Sequence, residues 1–133
     1  MKDIKDLPKK IPSDKYEFEF KEKGSMTGQE FSGKFIFMVP TIKEITKTGK
    51  LEASLNDGLE DILSSDILNL HAKIAYLRYA LIEFPDFWKN SEYGYTLRDM
   101  NIVEKLYDIC INYENDWLEQ IWGKEEGKDG AKE

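Results

Sequence analysis

The apolar residues of this chain change period at Pro40. Before it they alternate; after it they recur at three- and four-residue steps. A strand period cannot settle as a helix, nor a helix period as a strand, so this switch predicts a short β element followed by helices. In KYEFEFK, Tyr16, Phe18 and Phe20 share one face while Glu17, Glu19 and Lys21 share the other. Gly24 and Gly28 supply a turn. In EFSGKFIFMVP, Phe35, Phe37 and Val39 form one face, and Ile36 and Met38 make the other apolar as well. The two runs read as a β-hairpin ended by Pro40. A lone hairpin is marginal in water, so it must pack on helices or pair with another chain. Ile36 and Met38 are candidate self-association residues.

Pro40-Thr41 opens a first helix reaching about Leu55, with Ile42, Ile45, Leu51 and Ala53 as its apolar residues. Gly49 inside it costs about 1 kcal/mol relative to alanine, which points to a closely approaching neighbour. A second helix is capped by Ser64 or Ser65. Its stripe of Ile67, Leu70, Ile74, Leu77, Leu81 and Phe84 predicts continuous helix up to Pro85. Ala72, Ala75 and Ala80 allow close packing on its flanks. A third helix runs from a cap at Asp99 to about Trp122, with Ile102, Leu106, Ile109, Tyr113 and Trp117 on one side. The expected fold class is α+β, mainly α: an N-terminal hairpin packed on a bundle of three or more helices. The expected domain organisation is a flexible arm (1–14), a single domain (15–122) and a disordered tail (123–133).

Chemistry-bearing patterns are sparse. The single histidine, His71, stands in mid-helix with Ala75 four residues on, so it reads as structural or surface rather than as a metal ligand. Cys110 has no second cysteine and reads as a core thiol. The glycines match no phosphate-binding spacing, and NDGLED lacks the alternating ligands of a calcium loop. Glu104 and Asp108, at i and i+4, read as solvated acids. No cofactor, metal site or catalytic residue is expected, and the work of the chain is expected to be binding.

The formal net charge of −7 argues against nucleic acid as a partner. No apolar run approaches the roughly 20 residues of a membrane helix. Met1–Lys15 is charged rather than apolar, so no signal peptide is expected, and the chain reads as soluble and cytoplasmic. Arg98–Glu119 carries six acids against two bases, whereas Lys2–Lys15 carries five lysines against three aspartates. Opposite signs at the two ends suit head-to-tail association into a homo-oligomer.

Phe84, Phe87, Trp88, Tyr93 and Tyr95 crowd the stretch EFPDFWKNSEYGY. Phe84 is expected to close the core. Phe87, Trp88, Tyr93 and Tyr95 are too many for one turn to bury, so they are the candidate partner-binding residues.

The order FSGKFIFMVPT, an alanine-bearing helix, EFPDFWKN and LRDMNIVEKLYDICINYENDW resembles the tail assembly chaperones of long-tailed bacteriophages. Phe31, Gly33, Phe35, Pro40, Thr41, Glu83, Pro85, Asp86, Phe87, Trp88, Leu97, Asp99, Ile102, Tyr107, Glu114 and Trp117 carry the likeness, which spans about Phe18 to Trp122. It implies a protein that binds the tape measure protein, keeps it soluble and promotes tail tube polymerisation around it. Such a chaperone acts in the cytoplasm of the bacterial host and is absent from the finished virion. The resemblance also implies a longer, frameshifted form that contacts the tail tube protein. Trp122-Gly123-Lys124 and Glu126-Gly127-Lys128 are compatible with a slip site. A small acidic inhibitor or toxin-immunity protein is the alternative reading.

Overall fold

The computed structural model describes residues 11–123. The elements are β1 (Lys15–Lys23), β2 (Glu30–Met38), α1 (Ile42–Asn56), α2 (Ser65–Ala80), β3 (Leu81–Glu83), α3 (Asp86–Asn90) and α4 (Met100–Trp122). The class is α+β, mainly α, as the change of period predicts. The tail beyond residue 123, and most of the arm, lie outside the described residues.

The hairpin pairs in register from Lys15 opposite Met38 to Lys23 opposite Glu30. Its inner face carries Phe18, Phe20, Phe31, Phe35 and Phe37, all buried. They meet Leu77 and Ala80 of α2, and Ile102, Leu106 and Cys110 of α4, in one continuous core. Phe18 and Phe20 both pack on Phe35, one stacked and one edge-on.

The second helix ends earlier than its stripe predicts. Leu81–Glu83 is a strand, paired antiparallel with β2 at Ile36 and Phe37. Pro85 disfavours helical backbone at Phe84, and the edge of β2 offers the last residues hydrogen-bond partners. Leu81 is buried in the strand as it would have been in the helix, so side-chain burial does not distinguish the two outcomes. The sheet therefore has the order β1-β2-β3, and among the described residues no strand pairs with the outer edge of β1.

α1 also departs from expectation. Ile42, Ile45 and Ala53 are exposed, and Leu51 and Leu55 are half-buried. Ile42 stands nine residues before Leu51, which on a 3.6-residue turn is the opposite side of the helix. Gly49 has no close neighbour: a Cβ added there would meet nothing within 4 Å. Thr41 and Glu44 form the capping box that starts α1, and the Thr41 hydroxyl holds the Glu44 carboxyl below its ordinary value.

Residues 12–14, expected in the flexible arm, are pinned to the domain. Trp117 Nε1 donates to Pro12 O (3.1 Å), Tyr113 Oη to Ser13 O (2.7 Å) and Val39 N to Asp14 O (2.8 Å).

Asp99 precedes α4 as predicted, but its carboxylate caps a different segment. It accepts from Met26 N (2.7 Å), Thr27 N (2.8 Å) and Thr27 Oγ1 (2.6 Å), so it ties the hairpin turn to α4. Gly24 makes room for it, because a Cβ there would lie 2.3 Å from the carboxylate. The Thr27 hydroxyl, then the backbone N–H groups, hold the Asp99 carboxyl below its ordinary value of 3.8. A depressed carboxyl contributes its full stabilisation above the unfolded value and loses it as pH falls through the folded one. Urea midpoints of Asp99→Asn should therefore fall less steeply than wild type as pH drops from the unfolded value through the folded one. Parallel acid limbs for the two proteins would show that this anchor does not set acid sensitivity.

Candidate functional site

The aromatic run divides between inside and outside. Trp88, expected to meet a partner, is fully buried. It lies edge-on to Phe35 at 6.3 Å, beneath a turn in which Ser91 Oγ donates to Trp88 O and accepts from Gly94 N. Phe87 is half-buried, with its ring 5.2 Å from Phe31 and 5.9 Å from Phe35. Its face is largely spent on the sheet. Pro85 begins the short helix α3, absent from the sequence reading, and α3 turns both rings inward.

Tyr93 and Tyr95 remain nearer the surface. The Arg78 guanidinium lies over the Tyr93 ring at 3.8 Å, and Phe84 meets that ring edge-on at 5.5 Å. Tyr95 is 47% exposed and faces His71 across 6.0 Å. His71 itself is buried. Its Nδ1 lies 2.8 Å from Asn56 Oδ1, and an amide oxygen can only accept, so Nδ1 donates. This bond joins the end of α1 to α2.

α1 packs chiefly on α2, and of its apolar side chains only the half-buried Leu55 packs against the buried core. Two hollows flank that packing. One, of about 250 Å³, is lined by Leu51, Leu55, Ile74, Arg78, Glu92, Tyr93 and Tyr95. The other, of about 170 Å³, is lined by Pro40, Ile45, Thr48, Tyr76 and Glu114. Ile74 and Arg78 lie on one side of α2 and Tyr76 on the other, as helical periodicity requires. Beside the second hollow Ile45 is 61% and Ile42 83% exposed. Tyr76 Oη donates to Glu114 Oε1 at 2.6 Å. Burial first, and then Glu114, raises the Tyr76 hydroxyl above its ordinary value, so it stays a neutral donor.

The sequence reading gave Ile42 and Ile45 as apolar residues of this helix and assigned them no face. Their offset from Leu51 and Leu55 was the available signal: the apolar residues of α1 do not share one face. Ile36 and Met38 lie half-buried on the outer side of the sheet, opposite Glu17 and Lys15. They sit on the middle strand, so they do not form the open edge.

Cys110 and Glu104 stand in structural settings. Burial raises the Cys110 thiol, which keeps it protonated. Glu104 is paired with Lys73, whose ammonium that bond raises above its ordinary value. Among the described residues no three His, Cys, Asp or Glu side chains gather as a metal site, and no helix is long and apolar enough to cross a membrane. Comparison with protein-family models, curated proteins and solved structures finds no match.

Proposed function

We propose that this chain is a non-catalytic tail assembly chaperone of a long-tailed bacteriophage, lending apolar surface to the helices of a tape measure protein. The observation that carries the reading is α1. It sets Ile42 and Ile45 in solvent, stands between two apolar-lined hollows, and gives the core only the half-buried Leu55. A helix held mainly by one neighbour, with apolar residues turned outward, suits an amphipathic helix laid alongside it. The sequence resemblance supplies the identity of that helix. The acidic body keeps such a complex soluble. A longer form bearing a second domain would bring the tail tube protein to it.

The aromatic run contributes through Tyr93 and Tyr95, which line one hollow, while Phe87 and Trp88 hold the scaffold. Replacing Ile42 and Ile45 together by glutamate should leave folding within about 0.5 kcal/mol of wild type, as for exposed positions. Capture of a soluble tape measure fragment should weaken by about 1–4 kcal/mol, the range of an interface hot spot. Isothermal titration of both proteins with the same fragment provides the comparison. Undiminished capture would remove α1 from the binding surface.

A further inference from the structure

The outer edge of β1 carries backbone groups that face away from the sheet. Asp14 O accepts from Val39 N, and Gly24 N donates to Gln29 O, both in the hairpin register. Antiparallel pairing alternates, so even-numbered residues of β1 turn their backbone groups toward β2. The odd-numbered residues Lys15, Glu17, Glu19, Lys21 and Lys23 turn theirs away from it. Among the described residues only the two ends of this outer edge are occupied. Tyr113 Oη reaches Lys15 O (3.3 Å), and Asn101 Nδ2 donates to Lys23 O (2.9 Å). Between those ends Glu17, Glu19 and Lys21 have no outward backbone partner among the described residues.

We propose that two copies of this chain join along that edge, antiparallel, with Phe20 facing its own copy across a two-fold axis. The same odd residues carry the outer face, in the order Lys, Glu, Glu, Lys, Lys. An axis at Phe20 sets Glu19 opposite Lys21 and Glu17 opposite Lys23. By symmetry all four of these outer-face pairs are acid on base. Neighbouring registers are worse. An axis at Glu19 sets Glu19 on itself and Lys15 on Lys23. An axis at Phe18 sets Glu17 on Glu19, and an axis at Lys21 sets Lys21 on itself. Like charges directly opposite one another are destabilising, so the charge order selects one register.

The backbone phase agrees with that register. The odd residues become the hydrogen-bonded pairs, and Phe20 falls in a non-bonded pair. Lys23 O can serve both Asn101 and the second copy, because a carbonyl accepts two bonds. Lys21 also lies 3.9 Å from Glu30 of its own chain, but both side chains are largely exposed and that pair exchanges readily. The join makes one six-stranded sheet. It also carries the 24–28 turn of the second copy, with its exposed Met26, toward the end of β1 where Tyr16, Ile109 and Tyr113 line a hollow of about 390 Å³.

This pairing does not depend on the tape measure reading, and its test uses the purified chain alone. Sedimentation equilibrium should show a concentration-dependent dimer. Glu17→Lys with Glu19→Lys makes the whole edge basic; Lys21→Glu with Lys23→Glu makes its central part acidic. Each variant alone should associate about 10- to 100-fold more weakly, and an equimolar mixture should regain pairing, since the basic edge meets the acidic one. Glu19→Pro removes an N–H that faces away from β2, so it should abolish the dimer with an unchanged circular dichroism spectrum and, at concentrations where the wild type is monomeric, an unchanged melting temperature. A wild type that stays monomeric at every concentration overturns the proposal. Variants that associate like wild type, with no gain on mixing, overturn it equally.

Discussion

Trp88→Ala should lower stability by about 3–5 kcal/mol, the cost of deleting a large aromatic side chain from a packed core. Trp88 has no solvent exposure and sits between Phe35 and the 91–94 turn. Gly94 lies so close that a Cβ there would be 2.5 Å from the indole ring. Removing the ring leaves the turn without its floor. Trp88→Phe should cost much less, because it keeps most of the ring volume and removes Nε1, a buried donor with no hydrogen-bond partner among the described residues. Urea unfolding of the two variants provides the measurement. A loss below about 1 kcal/mol for Trp88→Ala would contradict the core position. The same result bears on binding assays, since reduced partner capture by this variant would report unfolding rather than a lost contact.

Gly33→Ala should cost about 2–6 kcal/mol, from backbone strain and overpacking together. Gly33 has φ of 151°, a region open chiefly to glycine. A Cβ at Gly33 would come within 2.5 Å of the Pro85 ring. Pro85 is held by α3 and cannot withdraw freely. In a double-mutant cycle with Pro85→Gly, part of the loss should return, because the clash disappears while the strain remains. Strictly additive losses would show that Pro85 is not the obstacle. Gly33 and Pro85 are far apart in sequence, and their close approach gives a physical reason for glycine at position 33.

Legibility followed the kind of signal. Both strands of the hairpin were plain from alternation, because every second side chain of a half-buried strand must be apolar. α4 was equally plain from its long one-sided pattern and from Asp99 before it. The end of α2 was not. Leu81 and Phe84 continue the helical stripe, yet the competing arrangement on the edge of β2 keeps Leu81 buried too. The exposure of Ile42 and Ile45 was hidden for the opposite reason: an apolar residue on a helix reads as buried unless the facing element is known.

The candidate site shows the same division. Local sequence concentrated aromatics at Phe84–Tyr95 and marked that segment as important. Whether each ring faced the core or a partner depended on α3, a short helix whose direction is set by packing against Phe31 and Phe35. Trp88 went in, Phe87 partly in, and Tyr95 stayed out. Asp99 was legible as a helix start, but its three bonds run to Met26 and Thr27, more than seventy residues away in sequence. The amino-acid sequence by itself determined the period of each element, the α+β class and the scarcity of reactive side chains, since these depend on residue type and spacing alone. Tertiary structure decided which strand edge stayed open, which aromatic rings were spent on the core and which isoleucines met water. Those outcomes depend on long-range contacts that compete for the same backbone groups and the same apolar surface.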